Sequence, residues 1–351
     1  MNIAVILPSL DNKGPNLIAK YLVDKLVKDN SVHVYYFDDV VNLEFSCPTT
    51  RISFFSKIHF QSYDIIHSHM LRPDLYVAYW SLFYKFRFSK ITTVHQETFR
   101  ALTIQYNLFI AFMATFLWNI AYLFFNRIIV LNPTISKQIW FVNKKRVHII
   151  GNGIPDLGAV FYDGISEKDQ DLLVSFKSKF DFILGSCCLL IERKGLDQVI
   201  LALKHLPNVG YILIGDGPQR DMLYNLARFH NVSHQCLFLG SRSDGFKFYS
   251  YFNAYVLPSL SEGYPIAAIE AARVGLPIVC SNINVLKDIF SESEVAFFEL
   301  GDVSSLVETL LYLMNNIGSF SDNLLLKYKM EMSDKVMFNN YINIYNEFIQ
   351  K

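Results

Sequence analysis

The chain has 351 residues and a mass of 40.5 kDa. That is too long for one small core and suits two domains of roughly 150–180 residues each. Apolar residues make up 52% and charged residues 18%, which excludes a disordered or solvating chain. The formal net charge of +0 excludes the overall basic character of a nucleic-acid binder. The zero hides a split. Residues 1–150 hold 16 Lys/Arg against 9 Asp/Glu (+7), and residues 151–351 hold 16 against 23 (−7). Most of the positive excess lies in residues 51–150, with 12 basic against 3 acidic side chains.

In chain order, Ile3–Leu7 reads as a short buried strand that ends at Pro8. It is too brief for a membrane span, and no cationic leader of a signal peptide precedes it. A turn through Gly14-Pro15 follows, then a helix from about Asn16. Further strands are expected at 31–37, 64–68, 90–95, 127–131 and 147–150, with helical stretches between most of them. Strands that alternate with helices imply parallel pairing, because such crossovers are too long for hairpins. Residues 1–155 therefore read as one doubly wound domain. The loop-rich stretch after Gly151 marks a boundary. The pattern restarts over 156–322, with strands expected at 182–188, 211–214, 236–239, 254–257 and 277–280. Residues 323–351 read as a helical segment long enough to fold back on the first domain. The fold class is α/β, with two Rossmann-like parallel-sheet domains facing a cleft. Ligands of such sheets bind beyond the carboxyl ends of the strands.

The stretch Leu257-Pro-Ser-Leu-Ser-Glu-Gly-Tyr-Pro-Ile-Ala-Ala-Ile-Glu-Ala-Ala-Arg273 carries the most information. A strand ends at Pro258, a turn holds Glu262-Gly263-Tyr264, and Pro265 suits the first turn of a helix. Glu270 falls on that helix. Were both carboxylates on one helix they would lie about 12 Å apart along its axis. With Glu262 in the loop, both can reach the space beyond the strand. Backbone amides at a helix start attract an anion, and a carboxylate can accept both protons of a vicinal diol. The blander reading is a solvated loop Glu and a surface helix Glu.

This segment resembles the Glu-x7-Glu block of family 4 retaining glycosyltransferases, which have the two-domain GT-B fold. The resemblance implies that Glu262 with Gly263, Tyr264 and Pro265 holds a donor sugar, and that Glu270 holds the nucleotide ribose. In Cys188-Leu-Leu-Ile-Glu-Arg-Lys-Gly-Leu196 it assigns Lys194 to the donor diphosphate. Members of that family usually carry an Arg about five residues before this Lys. Here that position is Leu189, and Arg193 is the candidate replacement. The Ile212–Pro218 segment has a phosphate-loop look but lacks the third Gly and the Lys, so it reads as a tight strand-to-helix turn. Phe238-Leu-Gly240 is placed near the nucleotide base.

In the first domain, Gly14 would let backbone amides approach a phosphate, though Gly-Pro also makes an ordinary helix start. His95 ends the strand in a Thr-Val-His context that the family shares. It is the candidate donor of a hydrogen bond to a sugar hydroxyl, and with Glu262 it forms the catalytic pair of this reading. His67 and His69, which end the preceding strand, read as acceptor-side or supporting residues. No Cys/His cluster has zinc spacing. The five cysteines read as packed, reduced thiols of a cytoplasmic protein.

Leu108–Phe125 is almost wholly apolar, with a polar stripe of Thr115, Asn119 and Tyr122. A crossing there would split one sheet across a bilayer, so the segment reads as a buried or interface-lying helix. The aromatic and cationic run 80–90 and the +7 domain point to peripheral attachment at the inner face of the cytoplasmic membrane. The resemblance implies a retaining, metal-independent hexosyltransferase with no cofactor. It would move a sugar from a UDP-type donor to a lipid-linked or oligosaccharide acceptor in surface polysaccharide (lipopolysaccharide O-antigen or capsule) biosynthesis. The alternatives are a nucleotide-sugar 2-epimerase of the same fold and a non-catalytic nucleotide-sugar binder.

Overall fold

The computed structural model describes residues 1–83, 88–156, 164–242 and 244–348. It divides into two compact units: Met1–Pro155 with Glu331–Lys351, and Asp156–Met330. Part of the aromatic and cationic run 80–90, residues 84–87, lies outside the described residues.

The first unit holds a parallel sheet of seven strands: β1 (Asn2–Leu7), β2 (Ser31–Tyr36), β3 (Thr49–Arg51), β4 (Ile65–His69), β5 (Ser89–Val94), β6 (Arg127–Val130) and β7 (Val147–Ile149). Their spatial order is β3-β2-β1-β4-β5-β6-β7. The central strand β1 is an aliphatic run, as expected of a strand covered on both faces. Ile3, Ala4, Ile6, Ile65 and Ile66 are fully buried. Register is set by β1, which pairs Ile3 with Val32 on one side and with Ile65 on the other. The helices are α1 (Gly14–Leu26), α2 (Leu71–Ser81), α3 (Thr98–Gln105), α4 (Leu108–Ala121) and the single turn α5 (Pro133–Ser136). Asn107 and Asn132 cap α4 and α5, accepting from Ile110 N and Ile135 N.

The second unit repeats the scheme with six parallel strands: β8 (Phe182–Cys187), β9 (Val209–Ile214), β10 (Cys236–Gly240), β11 (Ala254–Leu257), β12 (Ile278–Ser281) and β13 (Ala296–Phe298), in the order β10-β9-β8-β11-β12-β13. Among the described residues its helices are α6 (Glu167–Lys177), α7 (Leu196–Leu203), α8 (Arg220–Phe229), α9 (Ile266–Arg273), α10 (Asn284–Ile289), α11 (Val303–Met314) and α12 (Ile317–Lys327). The core joins Leu184, Leu213 and Val256 of the sheet to Val199 of α7 and to Leu306 and Leu310 of α11.

Two strands escape the sequence pattern. Thr49–Arg51 is an edge strand with all three residues exposed, so it has no apolar signal. Ala296–Phe298 is only three residues long. The expected start of the returning segment at residue 323 falls inside α12, which belongs to the second unit. The chain re-enters the first unit at Glu331.

The return is held by backbone contact. Ile154 N donates to Met332 O (3.0 Å) and Asp334 N donates to Ile154 O (2.9 Å). The last helix, α13 (Asp334–Asn346), packs on the first unit, with Tyr341 and Tyr345 buried. Asp334 pairs with Lys25 of α1 at 2.9 Å. Gly153 makes this approach possible: a Cβ there would lie 2.3 Å from Ser333 O and 2.8 Å from Met337 Cβ.

The five thiols are free. Burial, the largest cause in each case, raises Cys47 and Cys188 to about 11 and Cys236 to about 12, and Cys187 and Cys280 further still. Among the described residues no helix is long and apolar enough to cross a membrane. Gly153→Ala is expected to lower the unfolding free energy by about 1–3 kcal/mol, since backbone and not a flexible side chain blocks the added methyl. Chemical denaturation of the variant beside the wild type checks this, and equal midpoints and slopes would contradict it.

Candidate functional site

In a doubly wound sheet the crevice opens where the strand order reverses. In the second unit that point lies between β8 and its neighbour β11. The loop after β8 carries Arg193 and Lys194, and the loop after β11 carries Glu262. Glu192–Lys194 forms a 3-10 turn that ends at Gly195 in the left-handed region (φ 60°). A side chain at Gly195 would meet Pro258 O at 2.2 Å, so the two loops touch at backbone level only because glycine is there. Leu260 N donates to Arg193 O (2.8 Å). The amide of buried Gln198 donates to both Gly195 O (3.1 Å) and Pro258 O (3.0 Å).

These contacts bring three sequence-selected side chains together. Lys194 Nζ lies 2.6 Å from Glu262 Oε1, and Arg193 Nη1 lies 3.3 Å from Glu262 Oε2. Arg193 Nη1 also donates to Ser261 O. Ser259 Oγ donates to Glu262 Oε1 at 2.7 Å, and Ser259 O accepts from Ser281 Oγ at 2.6 Å. Glu262 is 6% exposed. Burial pushes its carboxyl up, but the charges of Lys194 and Arg193 and the bonds from Lys194 and Ser259 outweigh this, and it sits below the ordinary value. Two cations against one carboxylate leave the cluster with one positive charge. Leu189, where the resembling family has an Arg, is 59% exposed, and Arg193 joins the cluster from the adjoining turn.

Glu270 is on α9. Pro265 flanks this helix instead of opening it: it is the cap residue, and Ile266 is the first helical residue. The missing N–H remains harmless at that place. Tyr249 Oη donates to Glu270 Oε2 at 3.1 Å. The side chain keeps some exposure, yet protein packs closely around its carboxyl. Burial is the largest effect on it, opposed by Arg273 and Tyr249 and reinforced by Asp244, and it raises Glu270 to about 7. Gly263 and Tyr264 are half-buried in the turn between the two carboxylates.

The Ile212–Pro218 turn is the tight connection its sequence suggests. Gly215 and Gly217 have φ 136° and 157°, and a Cβ would strike Cys188 O and Leu190 O respectively. A cavity of about 430 Å³ opens there, lined by Cys188, Gly215, Asp216, Ser241 and Arg242 among others. Gly240, in the stretch assigned to the base, accepts from Gly215 N at 2.9 Å. A larger cavity of about 620 Å³ lies across the Arg193 turn, against Gly195, Gln198 and Leu260.

Gly14 and His95 belong to the first unit, at the carboxyl ends of β1 and β5. Gly14 opens α1 with Pro15 behind it. The loop before it is held by Asp11, which accepts from Asn16 and pairs with Lys13 at 2.6 Å. His95 is 5% exposed, and its Nε2 lies 2.9 Å from His69 Nδ1. Burial drives His95 to about 3 and His69 well below its ordinary value, so both rings are neutral at physiological pH. One ring donates to the other. Whichever way that proton sits, His95 Nδ1 and His69 Nε2 are left as one donor and one acceptor. Neither has a partner among the described residues. His67 is tied instead to Tyr345 Oη (2.7 Å) and Thr93 Oγ1 (2.8 Å). Sequence reasoning missed Ser259, Tyr249 and Gln198. A Ser or Tyr carries no local signal for a carboxylate far along the chain.

Residues 175–324 match the profile of the family Glycosyl transferases group 1. The whole chain aligns at 27% identity with 99% of an O-antigen biosynthesis glycosyltransferase, WclY, of Escherichia coli. About half of it (49%) aligns at 28% identity with 46% of a UDP-Gal:alpha-D-GlcNAc-diphosphoundecaprenol alpha-1,3-galactosyltransferase of the same organism. Among solved structures, HepE of Anabaena in complex with UDP and glucose superimposes with a TM-score of 0.83 at 14% identity, over 99% of this chain and 100% of that one. Sucrose-phosphate synthase of Thermosynechococcus elongatus does so with a TM-score of 0.78 at 17% identity, over 99% of both chains. Residues 175–324 of the second unit are thus similar to the glycosyl transferases group 1 family, and the chain has the GT-B fold.

Proposed function

We propose that the chain is a retaining glycosyltransferase of the Glu-x7-Glu type. It takes a sugar from a UDP-sugar and delivers it to a hydroxyl of a lipid-linked or polysaccharide acceptor in O-antigen synthesis. The observation that carries this reading is the net-positive Arg193–Lys194–Glu262 cluster at the strand-order reversal of the second unit. A diphosphate leaving group needs fixed positive charge in a site shielded from water. Glu262 holds both cations in position, so they need not reorganise as the sugar–phosphate bond breaks. Glu262 with Gly263, Tyr264 and Pro265 faces the transferred sugar, and Glu270 takes the ribose diol. In this reading the cations replace a metal. Retention comes from attack on the face the diphosphate leaves, with no protein nucleophile. His95, neutral and with Nδ1 unpartnered among the described residues, positions a sugar hydroxyl and carries no charge to the reaction. Gly14 admits backbone close to the phosphates. The UDP in the HepE structure and the diphosphoundecaprenol acceptor named for the E. coli relative favour this donor and acceptor class. The reaction belongs at the inner face of the cytoplasmic membrane, where such acceptors are found.

Incubation with a panel of UDP-sugars and a bacterial lipid extract tests the reading. Labelled sugar should move into the lipid fraction. Isomerisation of the donor would make the protein an epimerase, and binding without conversion would make it a non-catalytic binder. Glu262→Ala should lower kcat by at least about tenfold, about 1.4 kcal/mol of transition-state stabilisation, and change UDP affinity less. An unchanged kcat would remove Glu262 from the site.

Glu270 gives a pH signature. Its value near 7 means that it gains its charge as pH rises through neutrality. If the carboxylate is the form that accepts the ribose hydroxyls, affinity for a UDP-sugar should rise about tenfold from roughly pH 6 to pH 8 and then level off. The sugar-esterified diphosphate does not titrate in that window. Glu270→Gln should bind more weakly and show no such rise. Calorimetry across the range checks both, and a flat wild-type profile would remove Glu270 from ribose binding.

A further inference from the structure

Helix α4 buries its polar residues and exposes most of its large apolar ones. Its polar residues Thr115 and Asn119 are 0% and 2% exposed, while Leu108, Phe109, Phe112 and Leu117 are 70%, 74%, 49% and 51% exposed. The buried polar groups are satisfied. Thr115 Oγ1 donates to Ala111 O (2.8 Å), Asn119 Nδ2 donates to Thr115 O (3.0 Å), and Asn119 Oδ1 accepts from Trp140 N (2.9 Å). The helix is pinned by Trp118, whose indole N–H donates to Asp74 Oδ2 of α2 at 2.7 Å. Its orientation is therefore fixed by bonds on its inner side. Water selects the opposite arrangement in a surface helix, so the outer face is built for a different neighbour.

The apolar face continues beyond the helix and ends in positive charge. Phe116 meets the Phe141 ring edge-on at 5.8 Å, and Phe141 and Trp140 are themselves exposed. Lys144, Lys145 and Arg146 follow. Arg146 Nη2 donates to Leu123 O (3.1 Å), which places it at the carboxyl end of α4. Residues 98–155 hold six Lys/Arg and no Asp or Glu. Among the described residues Lys137, Lys144, Lys145 and Arg146 have no carboxylate partner within ion-pair distance.

From this we infer that the outer face of α4, with Trp140, Phe141 and the 144–146 cations, docks on an anionic lipid bilayer. Charge decides between occupants. A second copy of this chain placed symmetrically on the face would set the same cations against one another. An anionic leaflet supplies the opposite charge around an apolar interior. Helix α4 has 14 residues, about 21 Å in length, short of the ~30 Å hydrocarbon core. It lies in the interface and does not cross. The inference deepens the proposed use of a lipid-linked acceptor, and it rests on that reading for its purpose.

Co-sedimentation of the full chain with vesicles tests it without donor or acceptor. The wild type should bind phosphatidylglycerol/phosphatidylcholine vesicles and bind pure phosphatidylcholine much more weakly. The double variant Phe109→Glu/Phe112→Glu should lose at least about tenfold in vesicle affinity. Lys144→Glu/Lys145→Glu should lose about fivefold or more per lysine on the anionic vesicles. All four positions are exposed, and circular dichroism confirms the fold of each variant. Equal binding by the Phe109/Phe112 variant, or no binding by the wild type, overturns the proposal. A wild-type dimer that these substitutions convert to monomer, with no vesicle binding, also overturns it in favour of self-association. A thermal shift with UDP, the part common to the proposed donors, reports on the donor site alone in the same samples. Loss of that response with vesicle binding retained would sink the transfer reading and leave the docking face standing.

Discussion

A carboxylate buried to the extent of Glu262 stays ionised only if cations are held against it. That requirement organises the second unit around its sheet reversal. The cations come from the turn after β8 and the carboxylate from the turn after β11, and these strands are adjacent in the sheet though far apart in sequence. Gly195 lets the turns touch, Gln198 stitches their carbonyls, and Ser259 closes the shell. Take away the β8–β11 pairing and the charges separate; take away one cation and a buried negative charge is left short of a partner. The site and the fold are thus one arrangement, because the pair of strands that defines the topology also supplies both signs of charge.

The histidines on β4 and after β5 of the first unit are buried without formal charge. His67, His69 and His95 are all driven to the neutral form by burial. His67 is bonded to Tyr345 and to Thr93, whose hydroxyl meets that of Tyr341, while His69 and His95 bond each other. Two of these partners sit on α13, near the end of the chain, so the order of the β4 and β5 strand ends depends on the return of residues 331–348. Asp74 is a fully buried carboxyl of the same unit. Burial raises it to about 7 against the opposing bonds from Ser68, Trp118 and Thr92. Those three donors come from β4, α4 and β5, so one carboxyl ties the outer helix to the sheet.

Much of this was legible in the residues. Aliphatic runs such as Ile3–Leu7 and Tyr211–Ile214 announce buried parallel strands, and their alternation with helices gives the architecture. The Glu262 and Glu270 spacing around Pro265 located the carboxylates on a loop and a helix. What the sequence hides is pairing across distance. Nothing local says that Lys194 will meet Glu262 instead of solvent, or that Gln198 will bridge two loops. An edge strand without apolar residues, such as Thr49–Arg51, has no pattern to read. The apolar run at Leu108 shows the limit most clearly. Its composition marks a helix that avoids water, but only the hydrogen bonds of Thr115 and Asn119 reveal that the avoiding side points outward.

The quiet state of the thiols has a practical side. Nucleophilic attack on an alkylating reagent needs the thiolate, and every native cysteine is held to the protonated side of neutrality by its packing. A single cysteine engineered onto an open surface would therefore outcompete them for maleimide dyes or spin labels. Site-specific optical or magnetic probes can be attached to this protein with its natural sulfur content left intact.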